Sequence, residues 1–313
     1  MQFGRVESPL DLSTIDFTLP PDHVSTTAIL KNSTVKTTEV YVGCAKWGRP
    51  DWVGKIYPPK TKAGDFLEHY ARQFNCIELN ATFYRMPTKT QIKGWRSKVG
   101  KDFKFCPKFV DQITHIKRLK DTQELVDRFL EAVYEFEGNL GPLFLMPHPQ
   151  MGPKHLETIE RFIESLPKDI ELFVEYRHKD FFLDTLAFDQ AFSMMEQHHA
   201  GAVITDASGR RDCVHMRLTT PDVFIRFVGN GLHPTDYTRI DDWIKRMASW
   251  QKQGIQRMWF FMHQHEELHS PELCQYLIPK LNKALRCNVA VPVFAQTSEL
   301  FPTTNKKAAR KSK

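Results

Sequence analysis

The chain lacks the marks of several common protein classes. Its six cysteines, Cys44, Cys76, Cys106, Cys213, Cys274 and Cys287, form no CxxC pair and no regular spacing, so neither a disulfide framework nor a zinc ribbon is expected. No apolar run approaches the ~20 residues of a membrane-spanning helix, and no membrane partner is expected. The first residues hold no basic stretch followed by an apolar one, so no secretory leader is expected. No glycine-rich GxGxxG follows an early strand, which argues against an open dinucleotide-binding sheet. No internal repeat appears beyond a strand–helix rhythm. A reduced, cytoplasmic protein is the simplest expectation, with Cys44, Cys76 and Cys106 acting as small buried apolar residues in or beside strands.

What is present is a series of eight short apolar runs, at 41–44, 76–79, 103–106, 143–145, 171–174, 202–205, 224–228 and 258–261. Strands buried on both faces read as near-continuous apolar runs of this kind. Nearly all the segments between them carry helical periodicity. It is visible in Phe66, Leu67, Tyr70 and Phe74, in Ile92, Trp95 and Val99, and in Leu125, Val126, Phe129, Leu130 and Val133. Further helices are expected at 153–166, 187–199, 236–253 and 271–285, the last with Ser270 as its cap and Pro271 in its first turn. The pattern predicts a single-domain α/β fold, a TIM-type (β/α)8 barrel with some irregular helices. Such a barrel needs roughly 250 residues, which 39–302 supplies, and the 41% hydrophobic content is enough for its core.

Residues 1–38 read as a partly disordered extension, in which Leu19-Pro20-Pro21-Asp22 and a Ser/Thr-rich stretch show no sustained period. Ile15, Phe17 and Leu19 alternate and could pack beneath the barrel. At the other end, 303–313 reads as a disordered basic tail. Lys306, Lys307, Arg310, Lys311 and Lys313 supply five of the chain's net six positive charges, leaving +1 on the rest. A tail of this sort solubilises, or touches polyanions without specificity.

In such a barrel the carboxyl ends of the strands carry the chemistry. Glu78, Glu175 and Asp206 stand there, and a carboxylate at the end of a buried strand is costly unless paired, metal-bound or wet. Three at corresponding ends suggest a site; the plain alternative is a ring of salt bridges with Lys46, Lys108, Arg177 and Arg226. His263 ends the eighth run. Arg226 is followed by Gly229-Asn230-Gly231, whose backbone N–H groups are candidates to approach a phosphate, and Ser208-Gly209-Arg210-Arg211 could extend the same basic wall. His265-Glu266-Glu267-Leu268-His269 matches the HExxH pattern of zinc proteases. Pro271, two residues further on, disfavours a helix through it, and a loop is the expected outcome.

One combination is specific. Val42-Gly43-Cys44-Ala45-Lys46-Trp47 with Trp52 and Tyr57-Pro58, Ile77-Glu78-Leu79-Asn80-Ala81-Thr82-Phe83-Tyr84, Phe103-Lys104-Phe105-Cys106-Pro107-Lys108, Thr114-His115, Val174-Glu175-Tyr176-Arg177-His178, Ile204-Thr205-Asp206 and Ile225-Arg226 with Gly229 occur in that order. From Tyr41 to Leu285 the chain resembles the YecE-like family, domain of unknown function 72. The resemblance implies a barrel of the triosephosphate-isomerase type and no particular activity. Met146-Pro147-His148-Pro149 stands where many members have a glutamine before a proline pair, and His263-Gln264 replaces the usual asparagines after strand eight.

The expected function is an enzyme acting on a phosphorylated or otherwise anionic small molecule, or on a nucleic-acid phosphate, by acid–base chemistry. Glu78, Glu175 or Asp206 would serve as general base or as ligand to a divalent metal, and His178, His115 or His263 as proton donor. Lys108, Arg177 and Arg226 would hold the anion, with Lys46, Trp47, Asn80, Tyr84, Gly229 and Asn230 around it. The alternative is a non-catalytic nucleic-acid-binding protein that stacks bases on Trp47, Trp52, Phe83 and Tyr84 and uses the basic tail.

Overall fold

The computed structural model describes residues 3–6, 8–31 and 37–295; the basic tail lies outside the described residues. Eight parallel strands form one sheet: β1 (Glu39–Cys44), β2 (Cys76–Leu79), β3 (Lys104–Pro107), β4 (Leu143–Leu145), β5 (Leu172–Val174), β6 (Gly201–Asp206), β7 (Asp222–Gly229) and β8 (Arg257–Gln264). Their order is β3-β2-β1-β8-β7-β6-β5-β4. Isolated bridges Phe105–Leu140 and Lys108–Phe144 join the two edges and close the ring. The fold is the expected (β/α)8 barrel. The eighth strand runs three residues past its apolar run, to Gln264, because polar side chains there face a buried polar layer rather than solvent.

Strand periodicity divides the core in two. Cys76, Cys106, Phe144, Met146, Phe173, Val203, Phe224, Trp259 and Phe261 fill the barrel interior. Their neighbours Ile77, Phe105, Leu145, Val174, Ile204, Ile225 and Phe260 point outward into the layer shared with the helices.

Among the described residues ten α-helices surround the sheet. They are α1 (Val24–Lys31), α2 (Phe66–Ala71), α3 (Ala81–Tyr84), α4 (Lys89–Arg96), α5 (Gln123–Val133), α6 (Leu156–Glu164), α7 (Asp180–Leu183), α8 (Thr185–Gln197), α9 (Pro234–Gln253) and α10 (Ser270–Leu285). Thr88 caps α4 by accepting from the Gln91 amide, and Asp184 caps α8 by accepting from the Leu186 and Ala187 amides. Ser270 does not cap α10. It is the first helical residue, and its hydroxyl donates to the Glu267 carboxylate at 2.9 Å. His265 to His269 form bends and turns, so the HExxH residues share no helix face. Among the described residues no helix is long and apolar enough to cross a membrane.

The connection from β6 to β7 contains one turn of 3-10 helix, Arg211–Cys213, and no α-helix. The segment expected to be a loose extension fills that place. Thr26 of α1 donates to the Met216 carbonyl and accepts from the Leu218 amide, both at 3.1 Å. Just before α1, the His23 ring packs 5.8 Å from Phe188 of α8, while Asp22 accepts from Arg246 and Trp250 of α9. Helix α1 therefore stands between α8 and α9, with Leu30 fully buried. Phe17 lies not beneath the barrel but over Arg211 and Arg239, near the carboxyl end of β6.

Candidate functional site at the barrel mouth

Two residues beyond the middle interior layer, and so on the same face of each strand, come Ala45, Glu78, Lys108, Met146, Glu175, Thr205, Arg226 and His263. The apolar interior thus gives way to a ring rich in charge. Arg226 is its hub. Its Nε and Nη2 donate to the two oxygens of Glu78 at 2.8 and 2.9 Å, and its Nη1 donates to Glu175 at 2.8 Å. Glu175 also accepts from Thr205 Oγ1 at 2.5 Å and from Arg177 Nε at 3.1 Å. Glu78 accepts from Asn80 Nδ2 and pairs with His263 Nε2, both at 2.8 Å; His263 Nδ1 faces Glu267 at 3.3 Å.

Burial opposes charge throughout, and on Glu78, Glu175, Arg226 and His263 the pairing overrides it. Arg226 and His263 hold the Glu78 carboxyl well below its ordinary range. Arg177, Arg226 and Lys108 bring Glu175 down to about 2. Glu78 raises His263 despite the loss of solvent. Three carboxylates thus meet three cations, namely Arg226, Arg177 and His263.

Lys108 is the cation left over. Its amine lies 4.4 Å from the Phe83 ring centroid, 4.9 Å from that of Phe144 and 3.4 Å from Met146 Sδ. No carboxylate forms a salt bridge with it among the described residues. Burial first, then repulsion from Arg226 and Arg177, lower it from 10.5 to about 7. His115, at the edge of Phe83 and beside His148, is lowered to about 4 by burial, His148 and Lys108 and is neutral at pH 7.

Above this ring opens a cavity of about 450 Å³ lined by Lys46, Asn80, Phe83, Tyr84, Lys108, Met146, His115, Arg177, Arg226, His263 and Glu267. Phe3 forms part of its wall, lying over the Arg177 and Arg210 guanidiniums at 4.2 and 4.8 Å. The segment is anchored where the Gly209 amide donates to the Gly4 carbonyl at 2.9 Å. Gly4 sits at φ +68, and a Cβ there would fall 2.6 Å from Ala207 Cβ, so no other residue fits without strain. A groove of about 290 Å³ at the opposite end of the barrel is lined by Lys168, Asp169, Glu171, Asp222 and Arg257. There Arg257 is already paired with Glu171 and Asp222, whereas the mouth cavity is lined by Lys108, which has no salt bridge among the described residues.

Not every residue expected at the site lies there. Asp206 follows the inward-facing Thr205 and therefore points outward. Arg239 pairs with it at 2.8 Å, Trp243 Nε1 donates to it at 2.7 Å, and Arg211 completes the cluster. His178 sits in the loop after β5, its ring against Gly152 and its Nδ1 accepting from the Asp180 amide. The Asn230 amide, a candidate phosphate donor, is taken at 2.8 and 3.0 Å by the Asp236 carboxylate. Gly229 is small because a Cβ there would meet Leu273 Cδ1 of α10 at 2.7 Å. Arg211 turns to Asp206, while Arg210 holds Asp212 and the Arg177 carbonyl. Of the aromatics, Trp52 is buried with its indole N–H on the Leu268 carbonyl, and Trp47 is half-buried edge-on to Trp95. Tyr84, 74% exposed, stands free at the cavity rim.

Nothing local in the sequence on its own singles out Thr205, Glu267 or the enclosure that Phe83, Phe144 and Met146 form around Lys108. Strand parity could have found Thr205, and the four-residue spacing from His263 hints at Glu267. Three residues able to ligate a metal approach within 4.8 Å of one another at Glu160, Glu164 and His198, on the outer helices; among the described residues no such group forms at the mouth.

A family model described as a protein of unknown function, DUF72, matches residues 41–296. The chain is 30% identical over 281 residues to the UPF0759 protein YecE of Escherichia coli strain K12, covering 84% of this chain and all of that one. It is 25% identical to the UPF0759 protein YunF of Bacillus subtilis strain 168, over 50% of this chain and 57% of that one. A DUF72 family protein from Enterococcus faecalis V583 superposes with a TM-score of 0.62 at 15% identity, covering 81% of this chain and 100% of that one. Another, from Thermotoga maritima MSB8, gives 0.54 at 23% identity over 79% and 97%. With its fold, its ordered motifs and a family match across most of its length in agreement, the chain belongs to the DUF72 family.

Proposed function

We propose that the protein is an enzyme that takes a small anionic substrate, a carboxylate or a phosphate ester, into the barrel mouth and moves protons on it. The observation that carries this reading is Lys108, an amine on the cavity wall enclosed by the Phe83 and Phe144 rings and the Met146 sulfur and lowered by that burial to about 7. A group that titrates near pH 7 both accepts and returns a proton without a large penalty. Glu78 and Glu175 serve this reading as fixed anions rather than as bases, since their oxygens are engaged by Arg226, Arg177 and Thr205. Among the described residues Arg177 uses only Nε on Glu175, which leaves its other two nitrogens for the substrate's anionic end, with Lys46 at the rim. Arginine in this setting favours bidentate oxyanions. His115, neutral and beside Phe83, suits a relay rather than a store of protons.

The test has two arms. Calorimetry with inorganic phosphate and with succinate should show binding that Arg177→Met weakens about tenfold or more. Proton NMR of mixtures of anionic metabolites should then show one class consumed, with Lys108→Met slower by roughly 100-fold or more. Equal anion affinity in wild type and Arg177→Met overturns the reading.

A further inference from the structure

We propose that Lys108 is a covalent site, whose amine condenses with the carbonyl of a small keto or aldehyde acid to form an imine while Arg177 holds the acid's anionic end. The inference rests on the anion-binding reading of the mouth and names the substrate class and the bond formed.

The geometry leaves Lys108 with the properties of a nucleophile. Glu78 and Glu175 belong to the same interior ring, yet Arg226 engages both and so withholds them from the lysine. The amine is instead surrounded by two ring faces and a thioether. Such an enclosure weakens the hydration that would favour an ammonium ion. A lysine desolvated in this way beside other cations is a recognised form of activated amine. At pH 7 roughly half of an amine titrating near 7 is neutral, against fewer than one in a thousand for an ordinary lysine. The amine also faces a cavity of about 450 Å³ rather than packed core, within the range of small-molecule sites.

The step balances without an external oxidant or reductant. The nitrogen lone pair attacks the carbonyl carbon as the C=O pair moves to oxygen. A proton passes from nitrogen to oxygen to give a carbinolamine, and the second N–H proton leaves with that hydroxyl as water while C=N forms. Uptake of one solvent proton gives the iminium ion, whose charge draws electrons from the neighbouring carbon bond. Arg177, beside Glu175 and below Phe3, offers two free guanidinium nitrogens for the carboxylate or phosphate. Neutral His115 lines the same space and can pass the departing protons.

The experiment is reductive trapping. The full chain is incubated at pH 7 with pyruvate or glyoxylate and sodium cyanoborohydride, whose hydride and a solvent proton convert any imine to a stable secondary amine. Peptide mass spectrometry then compares Lys108 with the exposed Lys89. Lys108 should be labelled at least about tenfold faster than Lys89. Arg177→Met should slow the labelling of Lys108 by pyruvate much more than by the neutral carbonyl propanal, which registers only the lost repulsion of Arg177 on the amine. Thermal melts of the variant establish that it is folded. Labelling of Lys108 no faster than that of Lys89 overturns the imine. If anion binding by Arg177 persists in that case, the acid–base reading stands alone; if it is absent as well, both fall. Equal slowing of pyruvate and propanal in Arg177→Met overturns the assigned role of Arg177.

Discussion

Two buried arginine–carboxylate clusters lie within a few residues of each other along β5 to β7, and they have opposite surroundings. Inside the barrel, Arg226 joins Glu78 to Glu175 beneath an open cavity. Outside it, Arg239 and Arg211 enclose Asp206, with Trp243 and the aromatic rings of Phe17 and Phe227 filling the space around them. Both clusters satisfy their charges. The inner one lines the mouth cavity and has a surplus amine beside it. Burial and pairing alone therefore do not mark a site; a cavity and an unmatched charge do.

The comparison can be broken by removing each hub. Arg226→Met leaves Glu78 with His263 and Glu175 with Arg177 but the buried ring one cation short, and should cost about 3–5 kcal/mol of unfolding free energy in urea titrations. Arg239→Met leaves Asp206 with Arg211 and Trp243 and should cost about 1–3 kcal/mol. A larger loss in the second variant would reverse the ranking of the two clusters. The outer variant should also leave phosphate affinity unchanged.

Titration sharpens the contrast. Glu175 is lowered from 4.5 to about 2 in the folded chain, so its stabilisation is complete above pH 4.5 and is lost as pH falls toward 2. Asp206 is lowered as well, held down by Arg239 and Arg211 against the effect of burial. Both clusters therefore contribute to acid unfolding, and Glu175→Gln should show a shallower fall in stability between pH 4.5 and 2 than wild type. Only the mouth has an alkaline counterpart. Lys108 is lowered from 10.5 to about 7, so between these values the unfolded chain binds the extra proton and stability rises with pH. Lys108→Met should flatten that rise while changing stability at pH 9 by less than about 1.5 kcal/mol. A rise that persists in the variant assigns the effect to another group.

The barrel was legible because strands buried on both faces must be apolar throughout, and all eight runs became strands. The site was legible to the precision of one residue, and at a strand end that is where the difficulty lies. Side chains alternate across the sheet, so Thr205 and Asp206 belong to different faces, and an apolar run ending near both does not reveal which one enters the barrel. Gly229-Asn230 misled for a related reason. A glycine loop reads alike whether its amides await a phosphate or already hold Asp236, a partner six residues on. Helix α1 escaped notice because Val-Ser-Thr-Thr-Ala-Ile-Leu-Lys has little period of its own; long-range contacts hold it. The Lys108 enclosure brings Phe83 of α3 against Phe144 and Met146 at the end of β4, and local spacing cannot show such convergence.

The docking of α1 bears on how the chain is made. The groove for this helix is built from Met216, Leu218, Arg246 and Trp250, which leave the ribosome about two hundred residues after it. At roughly 5–20 residues per second, α1 waits ten seconds or more for its seat, and its marginal intrinsic period suits a segment that must not settle elsewhere first. The outer ring is completed by a segment made well before the residues that seat it, so sealing of the barrel is a late, long-range event in folding.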